Sequence, residues 1–176
     1  MKIGLCGTMS VGKTTLVNAL QKLPQFKDYN FATERSKYLS DLGIPLNTDS
    51  TLKGQTIFLA ERCAELIQTD IVTDRTIVDV MAFTMNAKSI HYQDKELFET
   101  YASEFIREYD YIFYISPYGL KIEDNGVRET DEHYRDLIDF TITTLIKRYG
   151  HRCNVVEKIS GSTEERIQQI LNITGL

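Results

Sequence analysis

Five short apolar runs recur along the chain, at residues 2–6, 29–32, 71–73, 111–116 and 154–156. Each is too brief for a helix and rich in β-branched or aromatic residues, so each reads as a buried strand. Helical periodicity fills the intervals, over residues 13–23, 52–68, 78–88, 95–109 and 131–148. Leu52, Leu59, Cys63 and Leu66 form one stripe, and Leu137, Phe140, Thr144 and Leu145 recur at helical spacing further on. A last helix opens on Ser162-Thr163-Glu164-Glu165, a capping box in which serine and glutamate satisfy each other's free amides. Strands alternating with helices predict an α/β fold: a five-stranded, mainly parallel sheet with helices on both faces, in three layers.

Composition narrows this picture. The 176 residues suit one domain spanning 1–176, and 42% hydrophobic residues supply a core. A net charge of −5 argues against gripping nucleic acid through bulk electrostatics, although a local basic groove stays open. Cys6, Cys63 and Cys153 are odd in number and lack C-x-x-C spacing, so buried thiols in a reduced, cytoplasmic setting are expected. His91, His133 and His151 share no ligand spacing. No apolar run reaches membrane-spanning length, and the first residues do not resemble a signal peptide.

The chemistry starts behind the first strand. Gly7-Thr8-Met9-Ser10-Val11-Gly12-Lys13-Thr14, followed by Thr15, fits G-x-x-x-x-G-K-[ST] at every fixed position, with a strand before it and a helix after. Glycines let the backbone wrap round a phosphate, and the helix adds its positive end. Lys13 can reach the β- and γ-phosphates, and the Thr14 hydroxyl can ligate Mg²⁺. ATP and Mg²⁺ are therefore expected. The stretch does not name an acceptor. A switch GTPase would carry N-K-x-D and D-x-x-G motifs, neither of which occurs, and the chain is short for a large motor.

Further candidates sit where open α/β sheets bind ligands, at the carboxyl ends of strands. Glu34 and Arg35 follow the second run, the first as a proton acceptor or sugar ligand and the second as a phosphate clamp; a solvated helix start is the alternative. Asp74 and Arg75 follow the third. The aspartate can hold a metal-bound water or act as base, or else cap a helix; the arginine can span donor and acceptor phosphates. A charged segment at about 118–135 carries Arg128 and Arg135, with Lys121 as a weaker third, and reads as a lid that excludes water. Gln55, Phe58 and Arg62 share roughly one side of their helix and, with Tyr38, are candidates for holding an acceptor base; core and surface roles are the alternative.

In their order along the chain these motifs resemble the P-loop nucleoside and nucleotide kinase superfamily, most of all domains similar to the nicotinamide riboside kinase part of NadR and bacteriophage deoxynucleotide kinases. The resemblance implies an ATP- and Mg²⁺-dependent kinase with a helical, arginine-bearing lid, acting on a nucleoside or a nucleoside monophosphate. It implies that Asp74-Arg75 matches the D-R pair after strand three and that Glu34 matches the base after strand two. Thr14 and Asp74 would then handle the metal, and Lys13, Arg75, Arg128 and Arg135 would surround the moving group. Two rivals are a kinase acting on a modified base in DNA or another small metabolite, and a regulatory nucleotide-binding protein. Oligomeric state stays open, with a homodimer as the candidate.

Overall fold

The computed structural model describes residues 1–33, 35–120 and 131–176. Its five strands are β1 (Lys2–Cys6), β2 (Asn30–Ala32), β3 (Ile71–Asp74), β4 (Tyr111–Ile115) and β5 (Val155–Ile159). They form one sheet in the order β2-β3-β1-β4-β5, and every pairing is parallel. Among the described residues seven α-helices accompany them: α1 (Lys13–Leu20), α2 (Ser36–Asp41), α3 (Leu52–Glu65), α4 (Ile77–Asn86), α5 (Tyr92–Ser103), α6 (Glu132–Tyr149) and α7 (Thr163–Thr174).

Strand side chains alternate between faces, and this divides the core in two. Ile3, Leu5, Phe113 and Ile115 pack with Leu16, Val17 and Leu20 of α1 and Ile170 of α7. Cys6, Ile112 and Tyr114 point the other way, to Leu59 of α3, the apolar residues of α4, and Ile138 and Ile142 of α6. Gly4 lies on this second face, where a Cβ would come within 2.5 Å of Thr76 and 2.8 Å of Tyr109. No described helix is long and apolar enough to cross a membrane.

Several boundaries differ from the sequence expectation. β5 runs on through Glu157 and Lys158 to Ile159, beyond the expected 154–156; it is an edge strand, and charges are tolerated there. The first helix stops at Leu20, because Pro24 opens a 3₁₀ turn instead. α3 ends at Glu65 rather than at 68. The expected helix 95–109 begins earlier, at Tyr92, and gives way to a 3₁₀ turn at Glu104–Glu108. On α6 the buried stripe is Tyr134, Ile138, Ile142 and Leu145, while Leu137 and Phe140 face solvent, because α4 accepts only one narrow face of this helix. On α3, Leu52 is exposed and Cys63 half-buried; Leu59 faces inward together with the polar Gln55 and Arg62.

Candidate active site

The link between β1 and α1 cannot be built with side chains at its glycines. Gly7 has φ +153°, and a Cβ there would lie 2.5 Å from the Ile115 carbonyl. Gly12 has φ +84°, a left-handed conformation directly before the helix. The loop thus bends tightly round a cavity of about 400 Å³. Residues 9–15 form one wall, Asp74 and Arg75 a second, and Leu120, residues 161–163 and Arg166 the remainder.

Lys13 is 6% exposed, and its Nζ donates to the carbonyls of Gly7 at 2.5 Å and Thr8 at 2.8 Å. Burial lowers its pKa from the usual lysine range and the Arg75 charge lowers it further; Asp79 and Asp74 act in the opposite sense. The Thr14 hydroxyl donates to Asp74 Oδ2 at 2.5 Å, across the mouth of the loop. Asp74 is the last residue of β3 and is 1% exposed. The helix that follows is capped by Thr76, so Asp74 is not an N-cap. Arg75 lies between the two, with a left-handed φ of +87° that costs a non-glycine residue about 1–3 kcal/mol. Its amide donates to Leu5 O at 3.1 Å, and its guanidinium sits 5.0 Å from the Phe83 ring centre. Thr14 and Asp74 offer hard oxygens side by side at the phosphate loop, which fits Mg²⁺, an ion that takes one or two protein ligands together with phosphates and water. No cluster of three or more metal-binding side chains occurs among the described residues.

The other candidates among the described residues do not line this cavity. Arg35 is exposed, pairs with Glu61 at 3.1 Å and covers the half-exposed ring of Tyr38 at 4.5 Å. Phe58 packs against the core and Gln55 is buried. Arg62 is buried, donating to the Asp74 carbonyl at 3.1 Å and to Glu65 at 2.6 Å, so it braces the end of β3. Burial pushes the Glu65 carboxyl up to about 7, against the pull of Arg62. Arg135 donates to the Leu120 carbonyl at 2.8 Å, and its own carbonyl lies 3.4 Å from the Thr8 hydroxyl, which ties α6 to the loop. Glu34, Lys121 and Arg128 lie outside the described residues, as does most of the expected lid.

Two residues that shape the loop were not anticipated. Asp79, fully buried in α4, accepts the Gly7 amide at 3.0 Å. Thr76-x-x-Asp79 fits the capping-box pattern, so its helix-starting half is legible in the sequence, but its reach back to Gly7 is not. Arg166 of α7, 7% exposed, donates to Val11 O at 2.8 Å, and its guanidinium would be 3.3 Å from a Cβ at Gly12. Nothing in its local sequence marks it.

A family model described as an AAA domain matches residues 2–166. The chain belongs to the AAA domain family. No curated protein matches it in sequence. Among solved structures, this AAA domain resembles deoxyadenosine kinase from M. mycoides with bound dCTP, at 19% identity and TM-score 0.66, over 99% of each chain. It resembles NadR in complex with NR at 17% identity and TM-score 0.76, covering 99% of this chain and 51% of that one. Thymidylate kinase from Ehrlichia chaffeensis matches at 15% identity and TM-score 0.63, over 99% and 98% of the two chains. These are likenesses of fold: the expected P-loop architecture is the one observed.

Proposed function

We infer that this AAA domain is an ATP-dependent kinase that moves a terminal phosphoryl group onto a nucleoside or a nucleoside monophosphate. The observation that carries this reading is the contact between Thr14 and Asp74 at the mouth of the phosphate loop, with Arg75 held beside it on the same wall. A cradle alone suits any nucleotide-binding protein. A buried carboxylate and an arginine at the adjacent strand tip suit transfer, because they furnish charge where a phosphoryl group passes between two oxygens. The kinase-like fold of the neighbours above supports the same choice.

Transfer forms a bond from the acceptor oxygen to the γ-phosphorus and breaks the bond from that phosphorus to the bridging oxygen of the nucleoside diphosphate that leaves. Lys13 exchanges its two carbonyl partners for phosphate oxygens, and its charge offsets what accumulates on the leaving side. Arg75 offers a planar, multiply donating cation to the transferred group. Thr14 and Asp74 would hold Mg²⁺, which neutralises phosphate charge when bound. With a hydroxyl acceptor, the proton passes to a carboxylate; Glu34 and Asp74 are the two candidates. A monophosphate acceptor needs no base, and Arg35 would then serve as its clamp. Arg128 would supply a further cation to the transferred group, while Arg135 would brace Leu120 at the edge of the cavity.

The test is incubation with γ-labelled ATP, Mg²⁺ and a panel of nucleosides, nucleoside monophosphates and DNA. Label on a nucleoside or monophosphate is the expected result. Label confined to free phosphate, or none released, contradicts a kinase; label on DNA alone moves the acceptor to a base within a polymer.

A further inference from the structure

Below the phosphate loop lies one carboxylate that the scheme above leaves without a role. Asp79 is fully buried in the first turn of α4. Its Oδ2 accepts the Thr76 amide and the Thr76 hydroxyl, each at 2.7 Å. Its Oδ1 accepts the Gly7 amide at 3.0 Å, from a residue 72 positions earlier. Starting a helix requires only the first set. It gives no reason for the second oxygen to be aimed at the phosphate loop, or for a charge to be buried there, which is costly without such partners.

The two segments that meet at this side chain are the two halves of the site. Gly7 opens the loop that carries Lys13 and Thr14. Thr76 directly follows Asp74 and Arg75. Both segments are held in demanding conformations. Gly7 is pressed against the Ile115 carbonyl with no room for a Cβ, and Arg75 is left-handed. A turn of that kind persists only when its surroundings fix it. Among the fixings here are the Arg75 amide on Leu5, the Arg62 guanidinium on the Asp74 carbonyl, and the Thr76 amide and hydroxyl on Asp79.

We propose that Asp79 is a positioning residue for phosphoryl transfer: one carboxylate, bonded on one side to Gly7 and on the other to Thr76, which fixes the distance between the phosphate loop and the Asp74-Arg75 turn. The effect on transfer rests on the kinase reading; the effect on nucleotide binding does not. Charge-assisted bonds from backbone amides are the stronger kind, and small displacements of reacting groups are expensive in rate.

Asp79→Asn tests this, because an amide has one oxygen and cannot accept on both sides. Thr76→Val removes the hydroxyl, which donates to Asp79 Oδ2 and accepts the Asp79 amide at 3.4 Å as the helix cap, and leaves the bond between Asp79 and Gly7 intact. Three quantities are read at a temperature well below either variant's Tm: the Gly7 amide resonance in ¹⁵N-labelled protein, MgATP affinity by calorimetry, and kcat with the acceptor found by the panel. Asp79→Asn is expected to move the Gly7 resonance, weaken MgATP about 10-fold and lower kcat about 100-fold. Thr76→Val is expected to leave the Gly7 resonance and MgATP affinity close to wild type and lower kcat about 10-fold. A purely structural Asp79 would lower Tm and leave affinity and kcat of the folded variant within about twofold of wild type, and that result overturns the proposal. If Asp79→Asn does not fold, Thr76→Val decides, and a kcat within about twofold of wild type overturns it. Should the wild type bind MgATP yet label no acceptor, the kinase reading falls, while the Gly7 resonance and MgATP affinity still decide whether Asp79 holds the loop.

Discussion

The wall of the cavity made by the phosphate loop and the helices that follow β2 use buried charge in opposite ways. On the loop side, Lys13 is bonded to backbone carbonyls that a phosphate can replace, and Asp74 is bonded to a hydroxyl that a metal can share. On the α3 side, the buried Arg62 is bonded to a carbonyl at the end of β3 and to Glu65. The first set is poised to exchange partners; Arg62 has found permanent ones. A charged side chain near a candidate site is thus not evidence of ligand binding until its partners are known, and the two regions should respond to mutation in opposite ways.

The largest effect is expected where the charge is structural. Arg62→Ala leaves the buried Glu65 carboxyl and the Asp74 carbonyl without their donor, at a cost of about 3–5 kcal/mol in stability. Chemical denaturation measures it, and a loss under about 1 kcal/mol would erase the contrast. Lys13→Ala should do the reverse, lowering phosphoryl transfer about 10²- to 10³-fold in protein whose Tm is scarcely changed. Activity and melting curves on one preparation check both halves, and near-normal turnover would count against the whole scheme.

A smaller, pH-dependent effect separates Glu65 from its neighbours. Its folded pKa of about 7 lies above the ordinary 4.5, so the folded chain holds this proton longer than the unfolded chain does. The stabilisation is complete below 4.5 and is lost as pH rises to about 7. Glu65→Gln should flatten the fall in Tm over that window; parallel Tm–pH profiles would show that Glu65 does not titrate there. The smallest effect is expected for Arg35→Ala. Its pair with Glu61 is exposed on the arginine side, and stability should change by at most about 1 kcal/mol. A rise in KM for a phosphate-bearing acceptor would then reveal a role that stability does not register.

How much of this was legible depended on whether a feature is local in sequence. The phosphate loop is contiguous and its constraints are steric, so the positions of Gly7, Gly12, Lys13 and Thr14 could be read directly. The alternation of strands and helices was legible for the same reason, and so was the Ser162–Glu165 cap. Asp74 was placed at a strand tip, and its alternative reading as a helix cap fails because Thr76, two residues on, takes that role. The exposed Leu137 and Phe140 misled because apolar spacing marks a face without saying whether anything covers it. Asp79 and Arg166 act across 72 and 155 residues, onto backbone atoms of glycine-loop segments, and a single sequence carries no signal for such contacts.

The most direct measurement of the central claim is how the γ-phosphoryl group partitions between acceptor and water in a single turnover, with enzyme in excess over labelled ATP and the acceptor saturating. The account predicts nearly all of the label on the acceptor, with hydrolysis about 100-fold slower or more. Label recovered as free phosphate at a rate the acceptor does not alter would contradict it.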